Sequence, residues 1–463
     1  MVRHEEAPSG CLPAVVVMPL RAARRVVTGR GRVREELGRG VALCGRVWDG
    51  IADLPFEGVV VIGMDGRVAA IGPRDTVVLP GGLRVIDCAW IGPGVTDAHV
   101  HLAAAAASGH DELRAGLVAV RDLGSPIVRL ARWRVAAPIA VAGTGPRVVG
   151  AADPRHPRPA PPGDRKAADQ DAAGGSRGRR LVFRRAAGRR AEGEMTADPP
   201  AADRARGGRG GSNGVMPGRD DPAGRNGAGQ DPLDALAVAD SPAAARKVVT
   251  SLIADGVDLI KVCLGDVAGP ARPGRSPLRY DELAIVLEAA HTAGLPVIAH
   301  ALTVAAVELA LRAGVDELAH VPLEPLPPET VDRIAAAGVP VVSTLQCHSG
   351  AGPVPGRNAA LLHRAGVSLI YGTDAGGAGN RPPGVDPREL DRLAYAGLGR
   401  LGALRAATSG AARAAGLDGQ RPSGRIEAGA YAAVVGLPAD PLVEPAAWRH
   451  PTVVVNGQRM ITA

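Results

Sequence analysis

The stretch GVTDAHVHL, Gly94–Leu102, decides the fold, because it follows the apolar run VIDCAWIGP and then sets Asp97, His99 and His101 at alternate positions. A β-strand sends residues i, i+2 and i+4 to one face, so these three polar side chains stand in a row while Ala98, Val100 and Leu102 face the other way. At about 3.3 Å per residue the two histidine Cα atoms lie roughly 7 Å apart, near enough for both imidazoles to converge on one ion. A pair of satisfied core histidines would produce the same short motif. The rest of the chain has to decide between the two readings.

Outward from this strand the pattern is regular. Short apolar runs, GLVAVRDLG, GPRVVG, GVDLIKVCLG, LPVIAHA, GVDELAH, GVPVVSTL and GVSLIYGTD, alternate with alanine- and leucine-rich stretches such as YDELAIVLEAAHTAG and PPETVDRIAAAG. Several of these stretches close on glycine before the next run, as βα units require. With the opening strand this makes eight strands. Residues 91–416, less one insert, leave roughly 250 residues, the size of a (β/α)8 TIM-type barrel. The flanks are β-rich. VVVIGMDGRVAAIG turns at Asp65-Gly66 and VVVNGQRM at Asn456-Gly457, both hairpin signals. The expected organisation is therefore an α/β barrel with a small β-sandwich built from both ends, residues 41–90 and 417–463.

Composition narrows the class. With 463 residues and 46% hydrophobic content the chain can bury a sizeable core. Five scattered cysteines, odd in number and never spaced C-x-x-C, indicate neither a disulfide framework nor a thiolate metal site, and a reducing cytoplasm is expected. No apolar run reaches the 18 or so residues of a membrane span. The N-terminal residues have acidic side chains before a short apolar patch and arginines after it, the reverse of a secretory signal. Residues 1–40 are expected to be a disordered extension.

The net charge of +7 is concentrated in one place: residues 151–226 carry sixteen Lys/Arg against ten Asp/Glu. This Arg-, Gly- and Pro-rich segment, 154–230 in the domain assignment, has Phe183 as its sole aromatic, too little apolar surface to offset the entropy of ordering it. A solvated, disordered insert is expected. Its RGGRGG run raises an RNA-associated, non-enzymatic reading, but the aromatics that stack on single-stranded bases are missing, so nucleic acid is not the expected partner. A small-molecule partner is expected, with homo-oligomerisation open.

The polar oddities of the repeat fall at matching places, where a barrel gathers its active site at the carboxyl ends of the strands. His99 and His101 end strand one, Lys261 strand four, His300 strand five, His320 strand six and Asp374 strand eight. Six buried polar side chains without a shared partner would each cost a few kcal/mol of desolvation. A metal centre supplies that partner. Asp97 is expected to orient the strand or an imidazole, while Cys347 and His348 follow strand seven and are candidates to border the pocket. Arg279 and Tyr280 open a helix after strand four and are weaker candidates for touching substrate, and His291 reads as a surface or packing residue.

These residues resemble the amidohydrolase superfamily, in particular its imidazolonepropionase-like and prolidase-like branch, through PGVTDAHVHL, GLVAVRDLG, GPRVV, ADGVDLIKV, AAHTAGLPVIAHA, GVDELAH, GTDAG and the tail GRIEAGAYAAVVGLPADPL. The likeness covers roughly residues 41–153 and 232–463. It implies two divalent ions, zinc being usual: His99 and His101 on the first, His300 and His320 on the second, Asp374 in contact with the first, and Lys261 bridging both as a carbamate. An ammonium has no acceptor, so Lys261 needs that modification to ligate a cation. The implied activity is amidohydrolase cleavage of C–N bonds by a metal-activated hydroxide, with Asp374 as base and then acid. Dipeptides or N-acyl amino acids are preferred to cyclic, imidazolone-type amides, since Lys261 favours a two-metal centre. One departure stands out. Relatives follow strand three with Gly-Gly-His, whereas Gly174-Gly175 here precedes Ser176, inside the insert.

Overall fold

The computed structural model describes residues 35–36, 40–102, 110–136, 139–144, 147–151, 236–265, 275–376, 384–417 and 422–462. The expected insert at 154–230, and all of the expected extension except Glu35, Glu36 and Gly40, lie outside the described residues. The described residues belong to one compact unit, Met1–Asp153 with Gln230–Ala463.

Five strands come first: β1 (Glu35–Glu36), β2 (Val41–Val47), β3 (Phe56–Ile62), β4 (Val68–Pro73) and β5 (Arg84–Pro93). The middle of the chain supplies β6 (Val95–Val100), β7 (Leu117–Asp122), β8 (Ala140–Gly143), β9 (Arg147–Ala151), β10 (Leu236–Ala239) and β11 (Ile260–Cys263). It continues with β12 (Arg275–Ser276), β13 (Val297–His300), β14 (Glu317–Ala319), β15 (Val341–Val342) and β16 (Leu369–Ile370). Three more follow, β17 (Ala433–Leu437), β18 (Val453–Asn456) and β19 (Arg459–Thr462).

The two ends of the chain build one mixed sheet, ordered β1-β19-β18-β17-β5-β2-β3-β4. Two facing sheets were expected, but the long strand β5 pairs with β2 on one side and β17 on the other, so hydrogen bonds run through all eight strands. The sheet folds back on itself. Val68 N–H donates to Ala430 O at 2.9 Å and Ala432 N–H to Gly66 O at 2.9 Å. Inside that fold Val41, Leu43, Val60, Ile62, Val434 and Val455 pack as a core, each fully buried side chain contributing about 1.5–3 kcal/mol.

The middle strands are parallel and alternate with helices, each helix delimited by local chemistry. The helix Val304–Ala313 starts where the Thr303 hydroxyl accepts from Ala306 N–H and ends at Gly314, whose φ of 85° a residue with a Cβ would resist. It buries Ala306, Val307 and Ala310, one stripe of a 3.6-residue period. Strand order is β10-β9-β11-β13-β14-β15-β16 in one sheet and β6-β7-β8 in another. The two do not close as a single hydrogen-bonded ring. They meet on one side through the parallel bridge Val100↔Ala375 and on the other through Asp258 N–H to Gly143 O at 3.0 Å.

The third strand differs from expectation. The run GPRVVG was assigned to it, but the strand beside β7 is β8, and Arg147–Ala151 lies between β10 and β11 instead. Two short apolar runs compete here, and AVAG takes that place, its Gly143 lying against the helix Ile127–Ala136. A Cβ at Gly143 would meet Leu130 Cδ1 at 2.7 Å.

Buried carboxylates hold the carboxyl ends of these strands. Asp97 accepts from His99 N–H and Thr373 N–H, each at 3.0 Å, and from the Thr373 hydroxyl at 2.5 Å, tying β6 to the segment after β16. Asp122 accepts from Leu102 N–H at 2.7 Å, Gly124 N–H at 3.0 Å and Ser125 N–H at 2.7 Å. Glu389 accepts from Leu345 N–H at 3.0 Å and Gln346 N–H at 2.5 Å, pinning the loop after β15. Deeper inside, Arg121 on β7 forms a two-pronged ion pair with Glu317 on β14 and donates to Ala98 O at 2.8 Å and Ala414 O at 2.7 Å. Because β7 and β14 belong to different sheets, this pair crosses the interior.

Removing one partner of a buried ion pair strands the other charge, so Glu317→Leu should destabilise the protein by about 3–5 kcal/mol in denaturant unfolding. A loss below about 1 kcal/mol would show that Arg121 is solvated some other way. Glu389 gives a pH test. Burial pushes its carboxyl up to about 7 against the loop's N–H donors. With the folded value above the unfolded one, its contribution is full below about pH 4 and lost as pH rises through 7. Glu389→Gln cannot ionise, so its stability relative to the parent should improve by about 2–3 kcal/mol between about pH 5 and pH 8. An unchanged difference across that range would contradict the assignment.

Candidate metal centre

The period of β6 carries His99 and His101 to one face, and their rings lie 5.3 Å apart, edge to face. Asp374 reaches them from the segment after β16. Its N–H donates to His99 O at 2.8 Å while His101 N–H donates to Ala375 O at 2.8 Å, so the two backbones run side by side. That approach needs Gly372, where a Cβ would stand 2.4 Å from Val342 Cγ1 and 2.9 Å from His99 Cβ. As a result Asp374 Oδ1 lies 3.4 Å from His99 Nε2 and 3.0 Å from His101 Nε2.

The other side chains singled out in the sequence come to the same place. The His320 ring lies 4.6 Å from that of His99 and 4.7 Å from that of His300, which ends β13. Lys261 in β11 is 1% exposed, and its ammonium acts on His99, His320 and Asp374. His320 Nδ1 meets the Thr344 hydroxyl at 2.9 Å, which fixes the ring and leaves its other nitrogen for the centre.

Backbone strain marks the same spot. Among the described residues the non-glycine positions with positive φ are His320 at 96°, Thr344 at 44° and Asp374 at 55°. They follow β14, β15 and β16 in turn. Such conformations cost on the order of 1–3 kcal/mol each and persist where the surroundings enforce them.

Electrostatics defines what the cluster can hold. Burial holds His99 and His320 well below the ordinary imidazole value, and the neighbouring Lys261 and histidines push the same way, so both rings are neutral with a lone pair to offer. Burial pushes Asp374 up, but hydrogen bonding and charge from His101, the Cys347 thiol and Lys261 outweigh it and keep the carboxyl below its usual value. Ligand atoms of His99, His320 and Asp374 all lie within 4.8 Å of one another. His99 Nδ1 is buried without a hydrogen-bond partner. Neutral imidazole with carboxylate oxygen is a donor set that suits zinc and similar divalent ions, so the residues present fit such an ion.

Other residues complete the neighbourhood. Cys347 Sγ donates to Asp374 Oδ2 at 3.4 Å, and the His348 ring lies 5.2 Å from that of His320. Both sit in VVSTLQCHSG, which has no alternation to announce them. The sequence already set them after strand seven, whereas Thr344 and Thr373 were not foreseen, since a threonine beside an apolar run reads as ordinary strand chemistry. The remaining candidates make contacts of their own. His291 pairs with Asp316 at 2.8 Å on the surface, Arg279 pairs with Glu282 at 2.7 Å at a helix start, and Tyr280 lies under Arg312 at 4.8 Å.

Comparison with known proteins places the chain. The amidohydrolase family model matches residues 202–460, more than half of the chain. No curated protein sequence matches it. Among solved structures, a Xaa-Pro dipeptidase with methionine bound in its active site aligns at a TM-score of 0.65 and 19% identity, covering 92% of this chain and 100% of the other. Ochratoxinase from A. niger aligns at 0.64 and 19% identity, over 92% and 96% of the two chains. A putative prolidase from Bifidobacterium longum aligns at 0.61 and 21% identity, over 91% and 94%. These likenesses carry the fold, a TIM-barrel-type α/β domain with a separate sheet domain. The chain belongs to the amidohydrolase family and is a hydrolase acting on carbon–nitrogen bonds.

Proposed function

We propose that the protein is a metal-dependent amidohydrolase cleaving amide or peptide-type C–N bonds, with dipeptides or N-acyl amino acids ahead of cyclic, imidazolone-type amides. The observation that carries this reading is the convergence of Asp374 Oδ1 on the Nε2 atoms of both His99 and His101. The dipeptidase and prolidase among the similar structures support the choice of substrate class. In this reading the parallel repeat is a (β/α)8-type barrel over residues 91–416, its wall interrupted between the two sheets, with 154–230 as an insert. Residues 41–90 and 417–463 form the β domain, and 1–40 precede it.

His99, His101 and Asp374 would hold one divalent ion, with zinc preferred, and His300 and His320 a second, bridged by Lys261 as a carbamate. Bound there, the ions would polarise the scissile carbonyl and lower the pKa of a water molecule. The chain's own residues do the rest. Asp374, kept ionised beside His101, takes a proton from the attacking water and delivers it to the departing nitrogen. The neutral imidazoles keep their lone pairs, and the strained backbones at His320 and Asp374 hold the side chains in place so that little reorganisation accompanies reaction. Among the described residues no helix is long and apolar enough to cross a membrane. Among the described residues the cysteines form no disulfide, which supports a cytoplasmic setting.

A hydrolysis panel of dipeptides, N-acyl amino acids and lactams should give turnover on the first two. Asp374→Asn should lower kcat by about 100-fold or more with the fold intact. Metal content has to be measured beside it, because loss of the ion would mimic loss of the proton shuttle. A metal-replete variant with near-normal kcat would assign the role elsewhere. Lys261→Ala should lose activity and regain part of it with added short carboxylates. A variant indistinguishable from the parent would favour the one-metal, imidazolone-type alternative.

A further inference from the structure

We propose that Cys347, His348 and Asp374 form a second cation site, beside the proposed catalytic one and sharing Asp374 with it. It would take a soft divalent ion such as zinc in excess or cadmium and suppress hydrolysis when filled. The suppression rests on the proposed hydrolase reading; the binding does not.

Three observations support the site. First, Asp374 divides its two oxygens. Oδ1 faces His99 and His101, whereas Oδ2 accepts from Cys347 Sγ at 3.4 Å. Second, His348 Nε2 is buried with no hydrogen-bond partner, a nitrogen withdrawn from water without compensation. Third, one ligand atom from each of Cys347, His348 and Asp374 lies within 4.8 Å of the other two, a spacing matched by His99, His320 and Asp374. Ligands around a tetrahedral zinc at about 2.0–2.3 Å sit roughly 3.5 Å apart, so side-chain adjustments of about 1 Å would close the group.

The loop that carries the site is held in place. Glu389 takes the N–H groups of Leu345 and Gln346, and His348 N–H returns to Thr344 O at 3.3 Å. Cys347 and His348 are therefore presented by fixed backbone, as an ion-binding loop requires. Thiolate, imidazole and carboxylate form a softer set than the imidazole and carboxylate groups next to it, which separates the two sites by chemistry. On binding, the Cys347 thiol releases its proton to solvent and the sulfur lone pair goes to the ion. Asp374 then has both oxygens engaged by cations and cannot accept a proton from the attacking water.

The test is a cadmium titration of the metal-replete enzyme, followed by near-ultraviolet absorption and by metal analysis after equilibrium dialysis. The wild type should show a thiolate-to-cadmium charge-transfer band and about one more bound cation per chain than Cys347→Ser, whose other thiols cancel in the difference. His348→Ala should weaken the same binding about 10-fold or more, a check on the site that leaves the thiol in place. Hydrolysis should fall over the same cadmium range, and Cys347→Ser should need about 10-fold more cadmium for the same loss. Equal bands and equal cation counts in the wild type and Cys347→Ser would overturn the site. A difference band with undiminished turnover would overturn the suppression. A band in a protein that hydrolyses none of the amides even before cadmium is added would count against the proposed function and support the site.

Discussion

Desolvation of charge governs the carboxyl end of the parallel repeat. Four histidines, a lysine and an aspartate gather where water is largely excluded, and three backbone positions around them are held in unfavourable φ. A buried polar group without a partner costs a few kcal/mol, and a strained residue costs about 1–3 kcal/mol more. Hydrogen bonds within the cluster recover part of this, chiefly through Asp374. A divalent ion among neutral imidazoles and a carboxylate would recover the rest, which makes the ion part of the structure's balance of forces as well as of its chemistry.

The architecture around the centre serves that constraint. Asp97 and Asp122 spend their oxygens on backbone N–H groups at the ends of β6 and β7, and Glu389 does the same for the loop after β15. Arg121 and Glu317 tie the two sheets together beneath it. The six central side chains thus rest on rigid backbone, the condition for holding charges in place without reorganisation. The eight-stranded terminal sheet has its own core and contributes no side chain to the cluster.

Much of this was legible in the sequence, and the failures have physical causes. His99, His101, Lys261, His300, His320 and Asp374 stood out because each interrupts an apolar run at the same place in a βα unit. The period of two on β6 translated directly into two rings 5.3 Å apart. The exchange of β8 for GPRVVG was not readable, because two short apolar runs, each ending in glycine, compete for one slot and only tertiary packing separates them. The terminal pieces looked like two facing sheets because hairpin signals report neighbours along the chain, not the pairing of β5 with both β2 and β17. Cys347 and His348 lay in a loop without periodicity, so only the fold reveals that they meet Asp374.

The central claim is that imidazole and carboxylate groups of this cluster hold the hydrolytic ion. X-ray absorption at the zinc edge, on protein loaded with no excess of zinc, tests it most directly. The account predicts nitrogen and oxygen neighbours at about 2.0–2.1 Å, with the outer-shell pattern of imidazole, and no sulfur shell near about 2.3 Å. The pattern should weaken in His99→Ala. Protein that retains no zinc, or zinc surrounded mainly by sulfur, would contradict it.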